Sequence, residues 1–223
     1  MQSHPSGGFF VAFASADPLP HHEETMQHSD APFAELEHAR RAIQNMGQAK
    51  SLEDLEEFWK EYLRRLERVW SKSVSHFGKS PKWNGWQGKF LKLRKNDPLL
   101  SYFINARGAE EHTGGEITER DPGWLNINFG PGDHAYVERM VIENGMLKEL
   151  RGPKGLVFEF RPARVKPLPI TNRGVIYPVP AQHLSKAIDP NNLLDIAERG
   201  VTFYAGFLDE AESFFIHPAR ANR

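Results

Sequence analysis

The 223-residue sequence predicts an α+β chain, a helical bundle followed by a strand-rich region with a C-terminal helix. Three observations point there. Between Pro32 and His112, apolar residues recur at helical spacing between capping residues and glycine stops. After Thr113, short apolar runs broken by glycine and proline replace that period, and near Asp189 the helical period returns. The expected division is a disordered tail over 1–31, a helical bundle over 32–115, and a β-rich domain with its terminal helix over 116–217.

The tail contains the apolar run Gly7–Ala14, but no basic residue precedes it and Pro18, Pro20, His21 and His22 follow, which is not the pattern of a signal peptide. His4, His21, His22 and His28 read as solvated side chains rather than a metal set, because a metal site needs fixed ligands. The first helix carries Phe33, Leu36, Ala39, Ile43 and Met46 on one stripe and stops at Gly47. Its Glu35-x-x-His38 matches half of a di-iron bundle motif. That fold needs the motif twice, and no second copy occurs.

Ser51-Leu52-Glu53-Asp54 reads as a capping-box variant opening a long helix to about Phe77, with a seam of Leu52, Leu55, Trp59, Tyr62, Leu66 and Val69. Next comes the strongest charge imbalance in the chain: Lys79, Lys82, Lys89, Lys92, Arg94 and Lys95, with no acidic residue among them. Trp83, Trp86, Phe90 and Leu93 interleave at helical spacing. Basic side chains beside exposed aromatics grip single-stranded RNA by phosphate contact and base stacking. Apolar residues at helical period more often face a core, and we favour that for the aromatics, which leaves the six basic residues as the candidate nucleic-acid surface.

A fourth helix should begin at the N-cap Asp97, with Pro98 at its first position, and end at Gly114-Gly115. Leu100, Phe103, Ile104, Arg107 and Glu111 share its apolar stripe, and His112 flanks that stripe at the C-terminal turn. A permanent cation close to an imidazole is the pairing that phosphodiester cleavage without a metal requires. The plain alternative is a structural ion pair between Arg107 and Glu111 at i and i+4.

Beyond residue 113, Trp124–Phe129, Ala135–Glu143, Met146–Leu150 and Leu156–Arg161 read as strands, with Asn144-Gly145 as a hairpin turn. Lys166–Ile170 is too rich in proline for a central strand and reads as an edge strand or a linker before Gly174–Pro178, and Thr171–Val175 reads as a tight turn in which Asn172 and Gly174 are expected to take the special backbone angles. Asp189-Pro190 is the expected cap of the terminal helix, with a bend near Gly200. Gly130–His134 lacks the lysine and spacing of a phosphate-binding loop. His134, His183, Asp133 and Asp189 match no known metal ligand set.

Lys and Arg number 28 against 29 Asp and Glu, so no global field argues for a nucleic acid or a membrane. The absence of cysteine excludes disulfides, thiolate metal sites and cysteine nucleophiles, and it fits a cytoplasmic protein. No apolar run is long enough to span a bilayer.

Arg107-Gly108-Ala109-Glu110-Glu111-His112 resembles the R-x4-6-H helix of the HEPN superfamily, helical-bundle proteins that include many metal-independent ribonucleases. The resemblance covers roughly Pro32 to His112. It implies that Arg107 holds the scissile phosphate and that His112 acts on the ribose 2'-hydroxyl or the leaving oxygen, with Asn105, Glu110 and Glu111 in support and no cofactor. One departure is Gly108, where those nucleases usually carry a polar residue. The helical half followed by Thr171-Asn172-Arg173-Gly174-Val175 is also similar to a family of bacterial proteins, a likeness that fixes no activity. Two functions follow as expectations. One is an endoribonuclease whose homodimer brings two Arg107–His112 pairs into one cleft. The other is a non-catalytic protein that dimerises through its bundle and binds an unidentified protein partner through its β-region.

Overall fold

The computed structural model describes residues 26–128, 136–143, 146–152 and 157–217, without the side chains of His112, Thr113 and Asn128. The expected tail as far as residue 25, the Gly130–His134 loop and the Asn144-Gly145 turn lie outside the described residues. Helices and small antiparallel strand pairs together make an α+β fold, with helices first and a helix last. Helix α1 (Asp30–Gly47) is capped by Ser29, whose hydroxyl accepts from the Ala31 amide, and it buries Leu36, Ala39, Ala42 and Met46. Helix α2 (Leu52–Phe77) starts at Ser51, which accepts from the Asp54 amide at 3.0 Å. Its seam buries Trp59, Tyr62, Leu66 and Val69, with Leu52 and Leu55 partly covered at the end.

Buried Glu35 on α1 accepts from Arg65 and pairs with Arg68 on α2, both at 2.9 Å, so the lone Glu-x-x-His sequence serves helix pairing. Helices α3 (Trp83–Asn96) and α4 (Pro98–Thr113) meet at a corner built by Asp97. Helix α5 (Leu193–Phe215) closes the core. The expectation grouped this helix with the strands; it packs instead against α1 and α2 and shares one hydrophobic core with the other helices. Its cap is Asn192, which accepts from Asp195, because Asp189 is engaged in a turn with the Asn191 amide. The expected bend at Gly200 is absent. A Cβ there would strike Tyr62 Oη and lie 2.5 Å from Phe103 Cε2, so glycine lets two helices approach without breaking α5.

Strands β1 (Thr118–Asp121), β2 (Trp124–Asn128), β3 (Arg139–Glu143), β4 (Met146–Arg151), β5 (Val157–Arg161) and β6 (Arg164–Pro167) form three nested antiparallel pairs. Thr118 faces Pro167, Trp124 faces Arg161, and Glu143 faces Met146. β1–β6 and β2–β5 share one register and form a two-stranded ribbon, and β3–β4 is a separate pair between β2 and β5 in the chain. The root of the ribbon is tied to α2 by Thr118 donating to Glu56 and by Arg120 donating to Glu53 at 2.6 Å and to Glu56 at 2.7 Å. Asp121 gathers Arg161 and Lys166 at 2.8 Å each. Between root and shaft, the register sets Pro122 opposite Ala163 and Gly123 opposite Pro162. Proline donates no ladder hydrogen bond, and Gly123 takes φ +72° where a Cβ would meet Ala163 N at 2.6 Å.

Strands β7 (Ile170–Asn172) and β8 (Val175–Tyr177) make a tight hairpin laid on α4. Arg173 and Gly174 take its positive φ angles, rather than Asn172 and Gly174 as expected, because a two-residue turn places both central residues there. Strands β9 (Gln182–His183) and β10 (Lys186–Ala187) form the last small pair.

Candidate functional site

Helix α4 is set as its sequence predicts. Asp97 Oδ1 accepts from the Leu99 and Leu100 amides at 3.1 Å, Pro98 fills the first turn, and Gly114 closes the helix at φ +59°. Leu99, Leu100, Tyr102, Phe103 and Ala106 are buried. Arg107 and Glu111 lie one turn apart at the boundary of this face, with Arg107 Nη2 2.5 Å from Glu111 Oε2. Each side chain is about one-third exposed. Arg107 Nε is buried with no hydrogen-bond partner among the described residues. The backbone of His112 continues the helix, while its side chain lies outside the described residues.

Gly108 is buried because the β7–β8 hairpin comes close: a Cβ there would meet Asn172 Nδ2 at 3.1 Å. Asn172 Nδ2 donates to Asn105 Oδ1 at 2.9 Å, and Asn105 in turn donates to the Ser101 carbonyl at 2.7 Å. Asn105 is therefore spent on fixing the hairpin to the helix. Glu110 lines an open cleft of about 590 Å³ together with Glu56, Lys60, Glu116, Glu119 and Arg120. Four carboxylates against two cations make that rim hostile to a polyanion. Burial opposes ionisation of Glu56, yet hydrogen bonds from Thr118 and Arg120 hold its carboxyl below the usual range.

The basic segment divides. Lys79, Lys82, Lys89, Lys92 and Lys95 are exposed. Lys89 pairs with Glu210 and stands 4.9 Å from the Phe90 ring centre. Arg94 leaves the candidate surface. It is buried, it donates to Glu67 at 2.8 Å and to the Tyr204 hydroxyl, and its guanidinium lies 4.3 Å from the Trp70 ring centre. Trp83 and Phe90 are buried and Trp86 half-buried, stacked among Trp70, Phe77, Phe207 and Phe215, so these rings belong to the core. Arg107 lies about 15 Å along α4 from the Asp97 corner.

Two features had no clear signal in the sequence. Asp97, besides capping α4, accepts from buried His183 Nδ1 at 2.9 Å and from the Leu184 amide at 2.7 Å. It thereby holds a turn in which Leu184 and Ser185 both take positive φ, +48° and +65°. His183 therefore meets Asp97, not Asp189, and His134 and Asp133 lie outside the described residues. Among the described residues, no group of His, Asp and Glu has the arrangement of a metal site. None of their helices is long and apolar enough to cross a membrane.

The second feature is the surface of the strand pairs. On β3–β4, Met140 and Ile142 share a face with Leu150 and Leu147, and on β2–β5 Leu125 and Ile127 share one with Phe160 and Phe158. Met140, Ile142 and Phe158 are each about half exposed. A two-stranded pair is marginal in water without a third strand or a packed face. Comparison of the chain with protein-family models, with curated proteins and with solved structures finds no match in any of the three.

Proposed function

We propose that this chain is a non-catalytic interaction protein, whose helical body is a scaffold and whose β3–β4 pair is the surface offered to a protein partner. The observation that carries this reading is the apolar face of the β3–β4 pair, on which Met140 and Ile142 are half exposed. The surroundings of Arg107 agree with it. The guanidinium is paired with Glu111, the place of a polar residue after it is filled by Asn172, and the adjacent cleft is acidic. Lysine substituted for Met140 and Ile142 is expected to leave the melting temperature of the body unchanged. A large fall in that temperature would show the face to be part of the chain's own core.

A second reading, the metal-independent endoribonuclease, is favoured by one observation: Arg107 Nε is a buried donor without a partner, as a group awaiting an anion would be. In that reading a homodimer joins two Arg107–His112 pairs on one RNA phosphate. Mixed RNA incubated with purified protein in excess EDTA decides between the two. Intact RNA supports the interaction protein. Fragments ending in 2',3'-cyclic phosphate, made by the wild type and lost at least a hundredfold in His112→Ala of equal melting temperature, would replace it with the nuclease.

A further inference from the structure

The interaction reading leaves open what covers β3–β4, and on that reading we infer that the occupant is a second copy of this chain, joined β3 edge to β3 edge about a two-fold axis at Val141. The argument begins with charge. At one end of β3–β4, Arg139 and Arg151 stand opposite each other and share a single carboxylate, Glu149, at 2.8 and 2.6 Å. Glu138, whose amide donates to the Arg151 carbonyl at 2.9 Å, adjoins Arg139 in the chain. At the other end Glu143 is exposed and has no ion-pair partner among the described residues. Like charges directly opposite in a sheet are destabilising, and opposite charges in that position are favourable.

The strand Arg139-Met140-Val141-Ile142-Glu143 is complementary to itself when read antiparallel. With Val141 on the axis, Arg139 faces Glu143 of the second copy, Met140 faces Ile142, and both pairs occur twice by symmetry. The two charge pairs lie on the face already carrying Arg151 and Glu149, and the apolar pairs lie on the face of Leu147 and Leu150. A one-residue slip would set charged against apolar side chains and place the two faces on opposite sides, so one register is specified. The other edge is blunted. The register shifts by one residue between Val141 and Ile142, which makes Lys148 the extra residue of a bulge in β4. A bulge and a lysine are the devices that protect an edge from pairing, whereas β3 is regular. Joined in this way, two marginal strand pairs become a four-stranded sheet whose apolar face doubles from four side chains to eight.

Sedimentation of the full chain from nanomolar to high micromolar concentration tests the inference. The wild type is expected to dimerise. Glu143→Arg, which turns both charge pairs repulsive, should weaken the dimer by roughly tenfold or more. Arg139→Glu combined with Glu143→Arg should restore it, because the pairs re-form with signs exchanged. Hydrogen exchange should slow at the β3 amides with rising concentration more than on β4. A wild type that stays monomeric at the highest concentration overturns the inference. A dimer indifferent to both charge variants overturns it equally, since another surface then makes the contact. Neither outcome touches the broader interaction reading, which fails separately if lysine at Met140 and Ile142 unfolds the body or if the wild type cleaves RNA.

Discussion

Arg94→Met removes a guanidinium from the core while keeping a side chain of similar reach and an apolar stem. What it leaves behind sets the magnitude. Glu67 loses the cation at 2.8 Å, the Tyr204 hydroxyl loses its donor, and the Trp70 ring loses the charge over its face. Truncating one partner of a buried pair costs about 3–5 kcal/mol. Glu67 keeps 23% of its side-chain surface, so water reaches the stranded carboxylate and the low end, about 3 kcal/mol, applies here. For a chain of this length, each kcal/mol moves the melting temperature by about 2–4 °C, which gives a fall of roughly 6–12 °C. Pairing the change with Glu67→Leu should recover much of the loss, because both ends then become apolar together. Lys92→Gln and Lys95→Gln are the controls, expected within about 0.5 kcal/mol of wild type. Thermal melting followed by circular dichroism reads the stability, and RNA mobility shift on the same proteins reads the alternative. An Arg94→Met protein that melts within about 1 °C of wild type and loses RNA binding would refute the assignment of Arg94 to the core.

Two further outcomes are expected. Gly200→Ala gains about 1 kcal/mol of helix propensity but forces Tyr62 and Phe103 away from α5, a cost of about 1–3 kcal/mol that includes the Tyr62 bond to the Ala197 carbonyl; calorimetry should show net destabilisation. Asp121 is held down to about 2, first by Lys166 donating to it, then by the Gly123 amide and the Arg161 charge, against an ordinary value of 3.8. A depressed carboxylate stabilises fully above its unfolded value and stops doing so as pH falls through its folded one. Hydrogen-exchange protection at the ribbon root, corrected for the intrinsic pH dependence of amide exchange, should therefore fall from about pH 4 to pH 2, and in Asp121→Asn it should be low throughout.

The helices were legible because their signals are local. Ser51, Asp97, Pro98 and Gly114 mark boundaries through interactions within one turn, and the seam from Trp59 to Val69 follows directly from the 3.6-residue period. The cap of α5 was misjudged by three residues because Asp189 and Asn192 are both good cap residues, and only the turn geometry decides between them. Arg94 was beyond sequence reasoning for a different cause. A basic residue among lysines on a helix has the same local signature whether it faces water or a partner such as Glu67 27 positions away. Gly108 and Gly200 look alike in the sequence, yet one accommodates Asn172 from a hairpin and the other Tyr62 from a helix. The strands themselves were largely visible, but their nesting was not, since period-two alternation says which residues share a face and nothing about which strand lies opposite.

Pro122 and Pro162, diagonal to each other on opposite strands, give the ribbon a seam, and the constant register across it bears on how the chain tolerates change in length. Residues added in equal number to both strands beyond the seam leave Thr118, Arg120 and Asp121 in place against the body and carry the apolar face outward by about 3.3 Å per added pair. An odd mismatch turns that face over. Reach can therefore drift among descendants of this sequence while the anchorage stays fixed, but only through matched insertions and deletions on two segments far apart in the gene.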